Sequence, residues 1–227
     1  MTTTLITGAN RGLGYEAARR LRAAGHEVWI GARDAARGQA AADALGARFV
    51  QLDVTDDASV AAAAERLDAL DVLVNNAGIA GARVAPPDTT PADVAPVLET
   101  NVLGIVRVTH AFLPLLERSD NPVIVNVSSG MGSFGVTTDP ERVESTIVAV
   151  AYPASKAAVT MLTTQYAKAL PHMRVNAVDP GYTATDFNDH SGPQTVAEGT
   201  DAIVRMAQID ASGPTGAFVD RHGVVPW

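Results

Sequence analysis

The sequence predicts an α/β protein: a doubly wound, seven-stranded, mostly parallel sheet with helices on both faces. Short apolar, β-branched runs alternate with longer alanine-rich stretches of helical period, which is the order of a βαβ protein. The runs are almost continuously apolar, as parallel strands covered on both faces must be. No linker, charge block or internal repeat divides residues 1–227, so they read as one domain.

Each element follows from its own residues. TTLIT (3–7) is the first strand, and GYEAARRLRAAG (14–25) the helix that returns from it. EVWIG (27–31) is the second strand. DAARGQAAADALG (34–46) follows as a helix, with Asp34 directly before the run as its cap. RFVQL (48–52) is the third strand, and DASVAAAAERLDAL (57–70) a helix capped by Thr55 or Asp56. DVLVN (71–75) precedes a long helical stretch from about Pro91 to Leu116, and PVIVNVS (122–128) is the fifth strand. ASKAAVTMLTTQYAKAL (154–170) is a helix entered through Tyr152 and Pro153, since proline fits only where its missing N–H is not needed. RVNAVD (174–179) ends at Pro180-Gly181, and AFVD (217–220) is the seventh strand. Right-handed crossovers between these strands give the doubly wound arrangement.

Composition removes several function classes. Apolar residues make up 47% and charged residues 19%, which is a globular balance. Net charge is −8 with no basic stripe, so neither nucleic acid nor an anionic membrane is the expected partner. There is no cysteine. The histidines (His26, His110, His172, His190, His222) are scattered, so no metal site is expected. No apolar run approaches the ~20 residues of a membrane span, and MTTTLITGA reads as a strand rather than a signal peptide. A cytoplasmic protein is expected.

LITGANRGLGYEAA places Gly8, Gly12 and Gly14 between the first strand and the first helix. Gly8 permits a tight turn, Gly12 lets the backbone approach a pyrophosphate, and Gly14 lets the helix pack close to the sheet. Free N–H groups at the helix start then face the phosphates, the Rossmann mode of dinucleotide binding.

Only two lysines occur, Lys156 and Lys168, against fifteen arginines. Lys156 follows Tyr152 by four residues, one helical turn on the same face. A free phenol titrates near ~10. A nearby ammonium favours the phenolate, so a lowered Tyr152 pKa is expected.

With these motifs the chain resembles a short-chain dehydrogenase/reductase of the carbonyl-reductase-like branch, nearly end to end. TGANRGLG (7–14), LDVTD (52–56), NNAG (75–78), TNVLG (100–104), IVNVSSGMG (124–132), YPASK (152–156) and NAVDPGYTATD (176–186) carry the resemblance. It implies NADP(H) contacts at Gly8, Asn10, Arg11, Gly12, Leu13, Gly14, Asp53, Val54, Asn76, Ala77, Gly78, Tyr152, Lys156, Pro180, Gly181, Thr183 and Thr185. It implies Tyr152 as general acid, Lys156 as its modulator and ribose ligand, Ser129 as hydrogen-bond donor to the substrate oxygen, and Asn101 as holder of a relay water. Ser128 is instead a structural hydroxyl at a strand end.

The function implied is NADPH-dependent reduction of aldehyde, ketone or quinone carbonyls. The alternatives are the alcohol-oxidising direction and a non-catalytic NADP-binding sensor. An NAD enzyme would be expected to place a carboxylate at the end of the second strand. Ala32 stands there, followed by Arg33, and Arg11 approaches from the glycine loop. The spacing from Ser129 to Tyr152 is longer than most of the family uses. The extra piece carries a helix-start signal at Asp139, Pro140 and Glu141. Laid across the long helices, 137–150 would block pairing, so a monomer is expected, with a small homo-oligomer as the alternative. Met131, Phe134, Tyr182 and Phe187 are candidate apolar walls for an open substrate pocket.

Overall fold

A computed structural model describes all 227 residues. Seven strands form one sheet: β1 (Thr3–Thr7), β2 (Glu27–Ala32), β3 (Arg48–Gln51), β4 (Val72–Asn75), β5 (Val123–Val127), β6 (Arg174–Val178) and β7 (Phe218–Val219). Their order is β3-β2-β1-β4-β5-β6-β7, and every pairing is parallel. The chain winds outward from β1 to β3, then crosses to β4 and winds the other way. The crevice beyond the carboxyl ends of β1 and β4 is therefore the expected ligand site.

Helices α1 (Gly12–Ala23), α2 (Ala35–Leu45), α3 (Asp57–Ala64), α4 (Pro91–Leu98), α5 (Gly104–Leu116), α6 (Phe134–Thr137), α7 (Ala151–Ala169) and α8 (Val196–Ala207) complete the chain. Strand alternation feeds two cores. Ile6, Val72, Val74, Val123 and Val125 join Ala17, Leu21 and Ile203 in one core. Leu5, Leu73 and Ile124 join Val60, Phe112 and Met173 in the other. No helix is long and apolar enough to cross a membrane.

Four expectations need correction, and one helix was not expected. The helix from 57 stops at Ala64, although Leu67 and Leu70 stay buried beyond it. The stretch 91–116 is two helices joined by a wide π turn at Glu99–Leu103. No helix starts at Asp139: its carboxylate accepts the Glu141 N–H in a tight turn, and only a single 3₁₀ turn, Val143–Thr146, follows. The β-branched run Thr146–Ile147–Val148 does not extend it. That segment packs against α6 and leaves Ile147, Val148 and Val150 at 44%, 76% and 40% exposure, so its apolar run is not laid down on a helix face. Finally, α8 went unrecognised; Thr195 and Glu198 close a capping box at its start.

Candidate active site

The glycine loop is shaped by what lies against it. Gly8 has φ +64°, and a Cβ there would stand 3.0 Å from Ala77 Cα. A Cβ on Gly14 would reach 2.5 Å from Asn76 Nδ2 and 2.9 Å from Ala9 Cα. Asn76 Nδ2 donates to the Thr7 and Gly8 carbonyls at 2.9 and 3.2 Å. The Asn76 and Ala77 N–H groups both donate to Thr7 Oγ1 at 3.0 Å. The NNAG turn is thus tied to the end of β1. Thr7 was not among the expected site residues; a hydroxyl just before a glycine turn was the available signal.

Helix α1 opens from Arg11 with no side-chain cap and no acidic residue in its first turn. Its first N–H groups and the positive end of its dipole therefore remain available to an anion. The close glycine approach and the uncapped helix fit a dinucleotide pyrophosphate. Asn10 and Leu13 are half-buried on the same loop. Arg11 is exposed and pairs with Asp186 at 3.1 Å.

Ala32 is buried at the end of β2, while Arg33 is exposed. Asp34 caps α2, accepting the Arg37 N–H at 2.9 Å, as expected. Asp53 Oδ1 accepts from Thr55 N and Oγ1 at 3.0 and 2.7 Å. Asp56, not Asp53, caps α3. Val54 is buried beside Gly104, whose added Cβ would sit 3.0 Å from it.

The chemistry-bearing residues converge at the start of α7. Lys156 is buried and donates to the Val127 carbonyl at 2.8 Å; its Nζ lies 5.6 Å from the centre of the Tyr152 ring. Ser128 Oγ donates to the Lys156 carbonyl at 3.1 Å. Ser129 Oγ accepts the Met131 N–H at 3.2 Å. The Ser129 turn packs so tightly on α7 that a Cβ on Gly132 would meet the Lys156 carbonyl carbon at 2.4 Å.

Asn101 sits in the π turn, buried. Its Nδ2 donates to the Ile79 carbonyl at 2.9 Å and to Ser155 Oγ at 3.0 Å, and its Oδ1 accepts the Ile79 N–H at 2.8 Å. Ser155 Oγ in turn donates to the Tyr152 carbonyl at 2.7 Å. A Cβ on Gly78 would lie 3.2 Å from Asn101 Oδ1 and 3.7 Å from Lys156 Nζ, so these three residues share one corner. Ser155 was missed as a linker; its place inside YPASK was the only hint.

The electrostatics correct one expectation. Part of Tyr152 remains exposed, yet protein surrounds it closely enough that burial pushes its pKa up. The Ser129 hydroxyl opposes this, and the Asp179 carboxylate adds to it. Lys156 does not bring the phenol down. Burial lowers the ammonium itself to about 8, with Asp179 acting against the fall. Desolvation is the largest influence on both groups because both stand in protein rather than water.

The segment after β6 closes the other side. Gly181 has φ +69°, and Thr183 Oγ1 donates to the Pro180 carbonyl at 3.0 Å. Thr185 reaches over the glycine loop, its Cγ2 standing 3.9 Å from where a Cβ on Gly12 would be. Phe187 lies 5.5 Å from Tyr152, ring centre to ring centre, tilted 55°. Of the expected apolar walls, Phe187 and Met131 adjoin Tyr152 and Ser129. Phe134 is largely exposed on α6, and the Tyr182 hydroxyl is engaged with Ser191 at 2.7 Å.

A family model described as short chain dehydrogenase matches residues 2–195. The chain is 33% identical to (-)-isopiperitenone reductase of Mentha piperita, with 96% of this chain and 95% of that one covered. It is 34% identical to (+)-neomenthol dehydrogenase of Arabidopsis thaliana, with 97% and 96% covered. The solved structure of salutaridine reductase from Papaver somniferum superposes with a TM-score of 0.84 at 28% identity, over 97% of this chain and 99% of that one. The alignment with the isopiperitenone reductase runs over 299 positions, more than the chain's 227, so that relative carries several tens of residues that this chain lacks. A family match over most of the chain and relatives above 30% identity along nearly all of it agree: the chain belongs to the short-chain dehydrogenases, oxidoreductases that bind a nicotinamide dinucleotide.

Proposed function

We propose that the protein reduces aldehyde, ketone or quinone carbonyls with NADPH, and that Tyr152 is the general acid. The observation that carries this reading is the meeting of Tyr152, Lys156 and Ser129 beside an uncapped, glycine-lined helix start. When bound, the cofactor supplies the hydride. Gly8, Asn10, Gly12, Leu13 and Gly14 would hold its pyrophosphate, Asp53 and Val54 its adenine end, and Asn76, Ala77, Gly78, Pro180, Gly181, Thr183 and Thr185 its remaining length.

The protein's own residues handle the proton. The raised pKa keeps the Tyr152 phenol protonated at neutral pH, ready to donate to the substrate oxygen as charge develops there. Ser129 Oγ accepts from Met131, which leaves its proton to point toward Tyr152 and the same oxygen. Lys156, at about 8, is mostly ammonium at pH 7 and offsets the phenolate left behind. The Asn101–Ser155–Tyr152 chain of hydrogen bonds holds the entry of α7 in place.

The NADPH preference rests on Ala32, which offers no carboxylate to repel a 2′-phosphate, and on the exposed Arg33; Arg11, paired with Asp186 here, would leave that partner to join it. Asp34 is engaged as a cap and pairs with Arg37 at 3.5 Å. A panel of carbonyl compounds, assayed by cofactor absorbance with NADPH and NADH, tests the proposal. Turnover of apolar ketones or quinones with NADPH is expected; activity with neither cofactor across the panel would refute it.

A further inference from the structure

We propose that Asp179 is a positioning residue of this site: its carboxylate ties the turn carrying Ser129 to the Pro180–Gly181 turn and, when ionised, places a negative charge behind Tyr152 and Lys156. The inference rests on the reading of Tyr152 and Lys156 as the reacting pair.

Asp179 stands just beyond β6 and is 4% exposed. Its Oδ1 accepts the Gly181 N–H at 2.9 Å, and the Gly130 N–H lies close enough to favour the ionised carboxylate. A Cβ on Gly130 would lie 2.9 Å from Asp179 Oδ2 and 3.2 Å from Glu144 Oε1. One buried side chain therefore joins the residue after Ser129 to the turn that would close over the nicotinamide. Backbone bonds bring the two strand ends together first: Ser128 N–H donates to the Val178 carbonyl and Asp179 N–H to the Val219 carbonyl, each at 2.8 Å.

The charges around it are few. Burial pushes the Asp179 pKa up, the Gly181 and Gly130 N–H groups oppose it, and Glu144 and Asp220 add to the rise. Arg142 pairs with Glu144 at 3.3 Å and feels both Asp179 and Asp220. Toward the site, Asp179 acts on Tyr152 and Lys156, favouring phenol and ammonium, the forms that reduction needs. Arg142 and Glu144 belong to the long connection between Ser129 and Tyr152, so that connection brings its own charges beside this carboxylate.

The chain's two lysines allow a direct test. In protein labelled with ¹³C at lysine Cε, Lys156 and Lys168 should give separate NMR titrations. The wild-type Lys156 midpoint is expected at about 8. Asp179→Asn keeps the shape and removes the charge. It should lower that midpoint by about half a pH unit or more, leave Lys168 unmoved, and move the alkaline limb of kcat the same way. An unmoved Lys156 midpoint would overturn the proposal, whereas a moved midpoint in a protein with no carbonyl turnover would support it and count only against the proposed activity. Should Asp179→Asn not fold, Gly130→Ala provides the same test, because its Cβ displaces the carboxylate. It should shift the midpoint and lower kcat by about tenfold with cofactor KM little changed. Unchanged midpoint and turnover would overturn the proposal.

Discussion

On the cofactor wall of the cleft, Thr7, Gly8, Asn76 and Ala77 are joined by four hydrogen bonds, and added Cβ atoms on Gly8 or Gly14 would strike backbone. On the proposed substrate wall, Phe187 is exposed beside Tyr152, and Asp189 and His190 just after it hold positive φ in succession. The first wall is over-determined by backbone contacts and tolerates almost no side-chain change. The second consists of turns whose side chains face solvent. Binding and proton transfer need fixed geometry, whereas substrate choice can be altered one exposed side chain at a time.

Substitutions on each wall sharpen this contrast. Tyr152→Phe aside, Lys156→Met should have the largest effect. It removes the ammonium beside Tyr152 and the bond to the Val127 carbonyl, and kcat/KM should fall by about 10²-fold or more in steady-state assays. Next, Ala32→Asp with Arg33→Ala should move cofactor preference toward NADH by roughly 10–100-fold, since a charge-assisted contact contributes about 1.5–3 kcal/mol. Wild-type kcat/KM equal for the two cofactors, or higher for NADH, would break that argument. Phe187→Ala, on the open wall, should raise KM for apolar carbonyl substrates by roughly tenfold and leave the cofactor KM unchanged. An equal change in both would erase the distinction between the walls.

The smallest effect lies outside both walls. His26 is buried and bonded to Thr4 Oγ1 at 2.8 Å, and burial lowers its pKa. The unfolded chain thus binds its proton more readily than the folded one. Stability from this group is complete above about pH 6.5 and is lost as pH falls through the unfolded toward the folded pKa. Thermal melts at pH 7.5 and 5.5 should show a larger drop for wild type than for His26→Gln.

The cofactor wall was the more readable of the two in sequence. Its glycines and strands follow from local rules, and Gly8 and Gly14 are where a side chain would collide. Apolar, β-branched runs identify the strands because most are covered on both faces, the edge strand β3 excepted. What escaped depends on partners distant in sequence. Asn101 turns inward through a π turn closed by Ile79 and Ser155, which helix propensity alone does not reveal. The rise in the Tyr152 pKa depends on burial, which no i, i+4 spacing reports. Helix α8 mixes Gly199, Thr200 and Asp201 into its middle, so only its capping box marked it. Asp139 misled because a carboxylate before proline serves a tight turn as well as a helix.

The central claim is that Tyr152 gives the proton while the cofactor wall works independently of it. Tyr152→Phe removes one hydroxyl, so NADPH binding followed by fluorescence titration, together with kcat on a good carbonyl substrate, tests it most directly. The account predicts a folded variant that binds NADPH about as well as wild type and loses about 10²–10⁴ in kcat. A variant that binds cofactor and turns over near the wild-type rate would contradict it.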